Sequence, residues 1–238
     1  ELHTNLTDED PYNTLAWFNL GAAYQGLKMY EKCIDAYEYC VAIDEKFEFA
    51  YRNMADAYMR LKWYEKALEV LEKHIEIAKP EDVIFEAMGY CWEKRKDFTQ
   101  ARLFYRKASQ LSPQDDGIFY KIGETYAREK QWEKAVKSYS VALSLDKDNA
   151  AYCMAIGNCL MEMDVKSEAL VCYLNAVRLK PGNKTTWVAL IRGLYLTGYY
   201  SEAITQLDVA RANCGDKGDF YYYNADALFE MGKEKEDM

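Results

Sequence analysis

Residues 14–47 decide the fold and read TLAWFNLGAAYQGLKMYEKCIDAYEYCVAIDEKF. The first half of this stretch carries its large and small apolar residues at helical spacing, at Trp17, Leu20, Gly21 and Tyr24. Intervals of three, one and three residues place them on one face of a helix. A short turn follows, and a second helical pattern comes after the turn. The stretch therefore predicts two helices joined by a tight connection.

The same pattern returns every 34 residues. Glycine occupies one position of the first helix at Gly21, Gly89, Gly123 and Gly157, and Ala55 fills the remaining place between them. A second column of small residues marks the second helix, and it contains Cys33, Ala67, Ala101, Ala135, Ala169 and Ala203. Small residues at fixed positions let two antiparallel helices approach closely. The period therefore predicts a tandem array of helix pairs.

No insertion or deletion disturbs this register after residue 14. Six repeats follow from it, over residues 14–47, 48–81, 82–115, 116–149, 150–183 and 184–217. A seventh first helix is expected over 218–231, so the predicted array spans 14–231. Residues 1–13 are interpreted as the remnant of an upstream repeat or an N-terminal tail, and residues 232–238 as a C-terminal tail.

These residues resemble the tetratricopeptide repeat (TPR) family. Its signature pairs a W-x2-L-G-x2-Y helix with an A-x3-F-type helix and a closing proline. Trp17-x2-Leu20-Gly21-x2-Tyr24 matches the first helix in full, and the fourth repeat is nearly as complete. The resemblance implies an all-α fold, a right-handed superhelical α-solenoid of helix-turn-helix repeats. The main departures from the pattern are Cys153, Leu160, Ile191 and Asn224.

Composition argues against several classes of partner. The 238 residues carry 30 basic and 39 acidic side chains, a net charge of −9, which does not suit phosphate neutralisation on nucleic acid. No apolar run is long enough to predict a membrane span. The seven cysteines form no C-x-x-C pair, so reduced thiols and a cytoplasmic location are expected.

The sequence contains no recognisable catalytic or cofactor motif. It lacks a G-x-x-x-x-G-K-[ST] phosphate loop, an H-E-x-x-H helix and a G-x-S-x-G elbow. The stretch 146–149 reads DKDN but lacks the glycine and the closing glutamate of a calcium loop. We therefore expect a non-enzymatic protein without a cofactor, and with no catalytic, cofactor-binding or metal-binding residues.

The first helices are where a binding groove is expected. In stacked helix pairs of this kind they line the concave side, and aromatic and methionine residues recur on their outward positions. By this geometry and the family's pattern, the groove is expected to contain Phe18, Asn19, Phe49, Arg52, Asn53, Asp56, Met59, Tyr90, Tyr120, Lys121, Glu124, Met154, Asn158, Met161, Arg192, Tyr195, Tyr222 and Tyr223. The alternative for any one of these aromatics is that it only seals adjacent helices.

The predicted function is a protein-interaction scaffold that binds a peptide or helical segment of a partner protein in this groove. Chaperone-binding relatives hold a C-terminal carboxylate with a Lys-Asn pair, an Asn and a Lys-Arg pair. Asn53 matches the middle Asn of this set. The Lys-Asn pair is replaced by Phe18 and Ala22, and the Lys-Arg pair by Val83 and Ala87. These four side chains cannot bind a carboxylate. A chaperone-tail clamp is therefore not expected. The alternative is self-association of the chain as a homo-oligomer, or an assembly module of a larger protein whose activity lies elsewhere.

Overall fold

The computed structural model describes residues 9–215, over which the chain forms twelve α-helices and no strand. The first helices of the pairs are α1 (Thr14–Gly26), α3 (Glu48–Arg60), α5 (Asp82–Lys94), α7 (Asp116–Arg128), α9 (Ala150–Glu162) and α11 (Lys184–Leu196). The second helices are α2 (Tyr30–Ile43), α4 (Tyr64–Ile77), α6 (Phe98–Leu111), α8 (Trp132–Leu145), α10 (Lys166–Leu179) and α12 (Tyr200–Cys214). The half repeat expected at 218–231 lies outside the described residues.

The helices fall into two compact units. The N-terminal unit extends to Pro113 and contains α1–α6, and the C-terminal unit begins at Gln114 and contains α7–α12. Within each unit every first helix packs on its own second helix, and that second helix packs on the first helix of the next pair. The predicted all-α fold of tandem helix pairs is confirmed.

An aromatic residue fixes the chain where it enters several first helices. Trp17 Nε1 donates a hydrogen bond to the Pro11 carbonyl at 2.9 Å, and Trp187 Nε1 donates to the Pro181 carbonyl at 2.7 Å. Tyr51, at the same repeat position, donates through its hydroxyl to a carbonyl six residues earlier. Each bond ties the preceding turn to the helix and satisfies a carbonyl of that turn. In the first and sixth repeats the carbonyl belongs to a proline.

The connection inside each pair uses one backbone motif throughout. In the first repeat the Lys28 amide donates to the Gln25 carbonyl and the Met29 amide donates to the Tyr24 carbonyl, both at 2.9 Å. This is the Schellman arrangement, which needs a residue with left-handed backbone. Positive φ angles accordingly occur at Lys28, Lys62, Lys96, Lys130, Asp164 and Gly198. The motif reverses the chain within a few residues.

The glycine column is required by the tyrosines of the second helices. A Cβ atom built on Gly123 would lie 2.5 Å from the ring of Tyr139, and one on Gly21 would lie 2.5 Å from the ring of Tyr37. Gly89 and Gly157 meet a tyrosine ring in the same way. The ring therefore occupies the space that a side chain on the first helix would need.

The two repeats without this glycine also lack the tyrosine. Ala55 and Ile191 occupy the glycine position, and Leu71 and Leu207 occupy the corresponding tyrosine position, where both leucines are buried. A larger residue on the first helix is thus matched by a smaller one on the second. The departure at Ile191 is a compensated change of packing, because total volume at the contact is what a close-packed interior conserves.

Candidate protein-binding surfaces on the first helices

The C-terminal unit contains an open cavity of about 640 Å³ on its first-helix side. Residues of α7, α9 and α11 line it, together with residues of α8 and α10 that form its floor. Five residues expected in the groove from the sequence line this one cavity, namely Tyr120, Met154, Asn158, Met161 and Arg192. A volume of this size falls within the usual range of ligand-binding clefts.

Apolar side chains make up one part of the lining. Met154 and Met161 are half-buried, and Val188 and Leu196 of α11 line the same cavity. Methionine is flexible and polarizable, so it adapts to ligand side chains of different shapes. This part of the cavity can accept an apolar anchor residue.

Two tyrosines of the second helices reach the cavity floor beneath the glycine column. Tyr139 and Tyr173 are almost fully buried, yet both contribute to the lining. Burial raises the pKa of Tyr173 to about 12, partly offset by the charge of Arg192, and burial raises the pKa of Tyr139 further. Both hydroxyls are therefore protonated at neutral pH and can act as hydrogen-bond donors.

Polar groups complete the cavity. Tyr173 donates to Asn158 Oδ1 at 2.8 Å, which orients the amide of Asn158 and leaves its nitrogen as a donor toward the cavity. Arg192 is exposed and makes no ion pair with the residues that the structure describes. Glu162 supplies a negative charge on the same lining. The cavity therefore offers hydrogen-bond donors and one exposed guanidinium beside an apolar wall.

Tyr120 forms a wall of this cavity through aromatic packing. Its ring centroid lies 5.3 Å from that of Tyr139 and 5.1 Å from that of Tyr152. Burial raises the pKa of Tyr120, and the neighbouring Glu124 carboxylate raises it further. The hydroxyl of Tyr152 in turn donates to Asp116 at the start of α7. Tyr120 is thus held rigidly and presents only part of its ring to a ligand.

The N-terminal unit has a smaller cavity of about 310 Å³ on its first-helix side. Four of the expected groove residues line it, namely Arg52, Asn53, Asp56 and Met59. Val83 and Ala87 also line it, so apolar side chains occupy the positions where a chaperone-tail clamp would need cations.

The polar side chains of this smaller cavity already bind one another. Asn53 Nδ2 donates to the Tyr37 hydroxyl at 3.2 Å, and that hydroxyl donates to Gln25 Oε1 at 3.1 Å. Gln25 Nε2 then donates to Asp56 Oδ2 at 2.8 Å. Arg52 pairs with a carboxylate of Glu81 at 3.5 Å. A ligand would have to replace these contacts, so the smaller cavity is a weaker candidate.

The remaining expected groove residues contribute to neither cavity. Phe18 packs on Phe47 with ring centroids 5.2 Å apart, and Phe49 packs on the same ring at 5.9 Å. Tyr90 lies edge-on to Tyr64 at 6.1 Å, with the Lys94 nitrogen 4.9 Å above its ring. The lining residues of the two cavities do not include Asn19, Lys121, Glu124 or Tyr195 of the first helices. Tyr222 and Tyr223 lie outside the described residues.

Sequence patterns did not single out every residue of the two cavities. Gln25, Trp132, Tyr139, Tyr173 and Leu196 were not among the expected groove residues, yet each lines a cavity. The pairing of glycine with tyrosine across the helix pair was the available signal for the two tyrosines. Where glycine leaves an opening in the first helix, a long side chain from the second helix can reach through to the groove.

The cysteines and the charged clusters provide no reactive centre among the described residues. All seven cysteines are free, and burial raises the pKa of Cys33 and Cys159 to about 11 and that of Cys91 to about 12. These thiols stay protonated at neutral pH and are poor nucleophiles.

Between residues 9 and 215 no three His, Cys, Asp or Glu side chains are grouped to hold a metal ion. No helix in that range has the length and apolar character needed to cross a bilayer.

A comparison of the sequence with models of known protein families identifies the family of this chain. The model of the tetratricopeptide repeat protein 21 C-terminal ARM domain matches residues 19–150, more than half of the chain. The chain belongs to this family. A search of curated proteins gives no match. Repeat arrays of this kind are generally non-catalytic, and they use extended surfaces to bind other proteins.

Solved structures similar to this chain share its fold. YrrB, described as a TPR protein with an unusual peptide-binding site, has a TM-score of 0.65 and 17% identity, covering 78% of this chain and 96% of its own. The C-terminal part of a TPR repeat-containing protein from Cytophaga hutchinsonii has a TM-score of 0.74 and 15% identity, and the match covers 83% of this chain and 79% of that one. A chain of the APC/C hetero-tetramer Cut9–Hcn1 has a TM-score of 0.59 and 14% identity, and the match covers 95% of this chain and 45% of that one. The resemblance to TPR proteins is confirmed.

Proposed function

We propose that the chain is a non-catalytic interaction scaffold whose C-terminal unit binds a peptide or helical segment of a partner protein. The cavity lined by α7, α9 and α11 is the proposed site. The observation that carries the proposal is the convergence of Met154, Met161, Asn158 and Arg192 on one open cavity. YrrB, which shares the fold, is described as having a peptide-binding site, and this supports the same class of ligand here.

The lining defines the chemistry of the expected ligand. An apolar side chain would fill the space beside Met154, Met161 and Leu196, where burial of its surface drives binding. A carboxylate or backbone carbonyl of the ligand would pair with Arg192 and with the amide nitrogen of Asn158. Arg192 is well suited to this role because its guanidinium has several donors and no competing ion pair among the described residues.

The proposal extends to the organisation of the chain. From the sequence repeat we infer that residues 14–231 are one tandem array, with repeats at 14–47, 48–81, 82–115, 116–149, 150–183 and 184–217 and a half repeat at 218–231, which lies outside the described residues. The first helices observed begin at intervals of 34 residues, which supports these boundaries. We also place the array in the cytoplasm, since seven free cysteines persist as thiols in a reducing compartment.

A displayed library of random peptides, selected on the purified chain, tests the proposed site. A selected peptide should bind the Arg192→Ala variant and the paired variant Met154→Ala with Met161→Ala at least about tenfold more weakly, as for anchor contacts at other interfaces. Arg178→Ala is the matched control, because Arg178 is an exposed arginine on α10 of the same unit. Helicity and melting temperature are measured for every variant.

Two outcomes would count against this site. Selected peptides that bind the Arg192 and methionine variants like the parent would place the ligand elsewhere. Peptides that lose binding only to the Arg52→Ala variant would move the site to the cavity of the N-terminal unit.

A further inference from the structure

The turns inside the helix pairs of the N-terminal unit place lysine at one repeated position. Lys28, Lys62 and Lys96 have φ angles of 59°, 62° and 65°. Each occupies the left-handed position of the Schellman motif, and each side chain is exposed. The backbone motif therefore presents three lysines, one per repeat, from equivalent places in the fold.

Lysine is not the residue that this backbone favours. Left-handed backbone is unfavourable for residues with a Cβ atom and is readily adopted by glycine. The fifth and sixth repeats form the same turn with Asp164 and Gly198 at this position. A cation near a helix C-terminus gains from the helix dipole, but these two repeats show that the turn forms without it. The geometry of the turn therefore does not account for lysine.

Further basic residues surround these lysines. Arg60 and Lys94 are the last residues of α3 and α5, and Arg95 directly follows α5. We call these three residues and the three lysines the basic ridge. Arg60 pairs with Asp56 at 3.5 Å and Arg95 pairs with Glu65 at 3.2 Å.

The three lysines differ from their neighbours in having no such partner. Lys28, Lys62 and Lys96 make no ion pair with residues 9–215. Their positive charges are therefore the part of the ridge available to a ligand.

Exposed apolar side chains stand next to two of the three lysines in sequence. Leu27 is 69% exposed, Met29 38% and Trp63 42%. These residues flank Lys28 and Lys62 directly in sequence. A ligand for the ridge would therefore gain from apolar groups as well as from negative charge.

We propose that the basic ridge binds an acidic segment of a partner protein that also carries apolar side chains. The site is separate from the cavity of the C-terminal unit and does not depend on it. A narrow acidic segment is favoured over a membrane or a duplex because exposed Glu31, Glu65 and Asp97 adjoin the lysines. An extended anionic surface would meet these carboxylates as well as the lysines, whereas a peptide segment can place its own acidic side chains on individual lysines.

The test uses a fluorescein-labelled peptide of alternating Glu and Leu residues as its probe. The key variant is Lys28→Gly with Lys62→Gly and Lys96→Gly, which removes the charges and gives the turns the residue that their backbone favours. Its melting temperature should equal or exceed that of the parent, so loss of binding cannot be assigned to unfolding. The matched control is Lys46→Gln with Lys73→Gln and Lys79→Gln, which removes three exposed charges of the same unit away from the ridge.

The proposal predicts that the glycine variant binds the probe roughly tenfold to a hundredfold more weakly than the parent, while the control keeps most of its affinity. The parent's affinity should fall as salt rises. Absence of binding by the parent would overturn the proposal, as would equal weakening in both variants. Lysine-dependent binding to phosphatidylserine vesicles, but not to the peptide, would show that the ridge takes a lipid surface instead.

Discussion

Gly123→Ala is expected to destabilise the C-terminal unit by about 1–3 kcal/mol, the usual cost of overpacking a core. The new methyl group would lie 2.5 Å from the Tyr139 ring, which is itself nearly buried and cannot easily move. Alanine normally stabilises a helix relative to glycine, so the sign of the result is informative. The measurement is the free energy of unfolding by denaturant.

A double variant separates the clash from other effects of the substitution. Gly123→Ala combined with Tyr139→Leu reproduces the pair that Ala55 and Leu71 form in the second repeat. The combined loss of stability should be clearly smaller than the sum of the two single losses, because the leucine removes the ring that the methyl group meets. Strictly additive losses would contradict the proposed contact.

Gly26→Ala is the control for helix propensity. Gly26 ends α1, and a Cβ atom built there meets nothing within 4 Å. The substitution should therefore leave stability unchanged or raise it slightly. A loss of stability there as large as at Gly123 would show that the glycine column has a cause other than the tyrosine rings.

Alkaline pH is expected to destabilise the fold strongly. Burial raises the pKa of Cys33 from 9.0 to about 11, and burial followed by the charge of Asp44 raises the pKa of Cys40 from 9.0 to about 12. Above pH 9 the unfolded chain loses these protons while the folded chain keeps them. The contribution of the two buried, protonated thiols to the free energy of unfolding is therefore complete below pH 9 and is lost as pH rises toward 11–12.

The two thiols can be removed without altering the character of the core. Other repeats carry Ala67 at the position of Cys33 and Ala108 at that of Cys40, so Cys33→Ala with Cys40→Ala should fold normally at pH 7. Between pH 9 and 11 its stability should fall less steeply than the parent's, by up to about 1.4 kcal/mol per pH unit for each thiol removed. Denaturant unfolding across this pH range gives the slopes. Parallel profiles for the two proteins would contradict the assignment.

The repeat pattern predicts most of the fold because packing imposes it on the sequence. A first helix can lie close to its second helix only where the side chain is small, so the columns of Gly21 and Cys33 recur in fixed register. Ile191 departs from the glycine column when that column is considered alone. Its explanation lies in Leu207 on another helix, and single-column analysis does not reveal such compensation.

The candidate site was less predictable because periodicity identifies a helix face but not what covers it. Met154 and Arg192 remain open to a cavity, whereas Phe18 occupies a similar outward position and packs on Phe47. Gln25 lies outside the repeated columns, and its role depends on the distance to Asp56 on the next first helix. Three-dimensional contact, rather than residue type, separates the residues that line a cavity from those that seal the stack.

Methyl NMR of methionine reports whether a peptide occupies the cavity of the C-terminal unit, since methionines mark both cavities and the core. With methionine methyl groups labelled and assigned by single Met→Leu variants, a selected peptide is titrated into the chain. Binding at the proposed site should shift the methyl signals of Met154 and Met161, while those of Met59 in the N-terminal cavity and of the buried Met54 should stay in place. Shifts confined to Met59, or binding without any change at Met154 and Met161, would contradict a peptide site in the C-terminal unit.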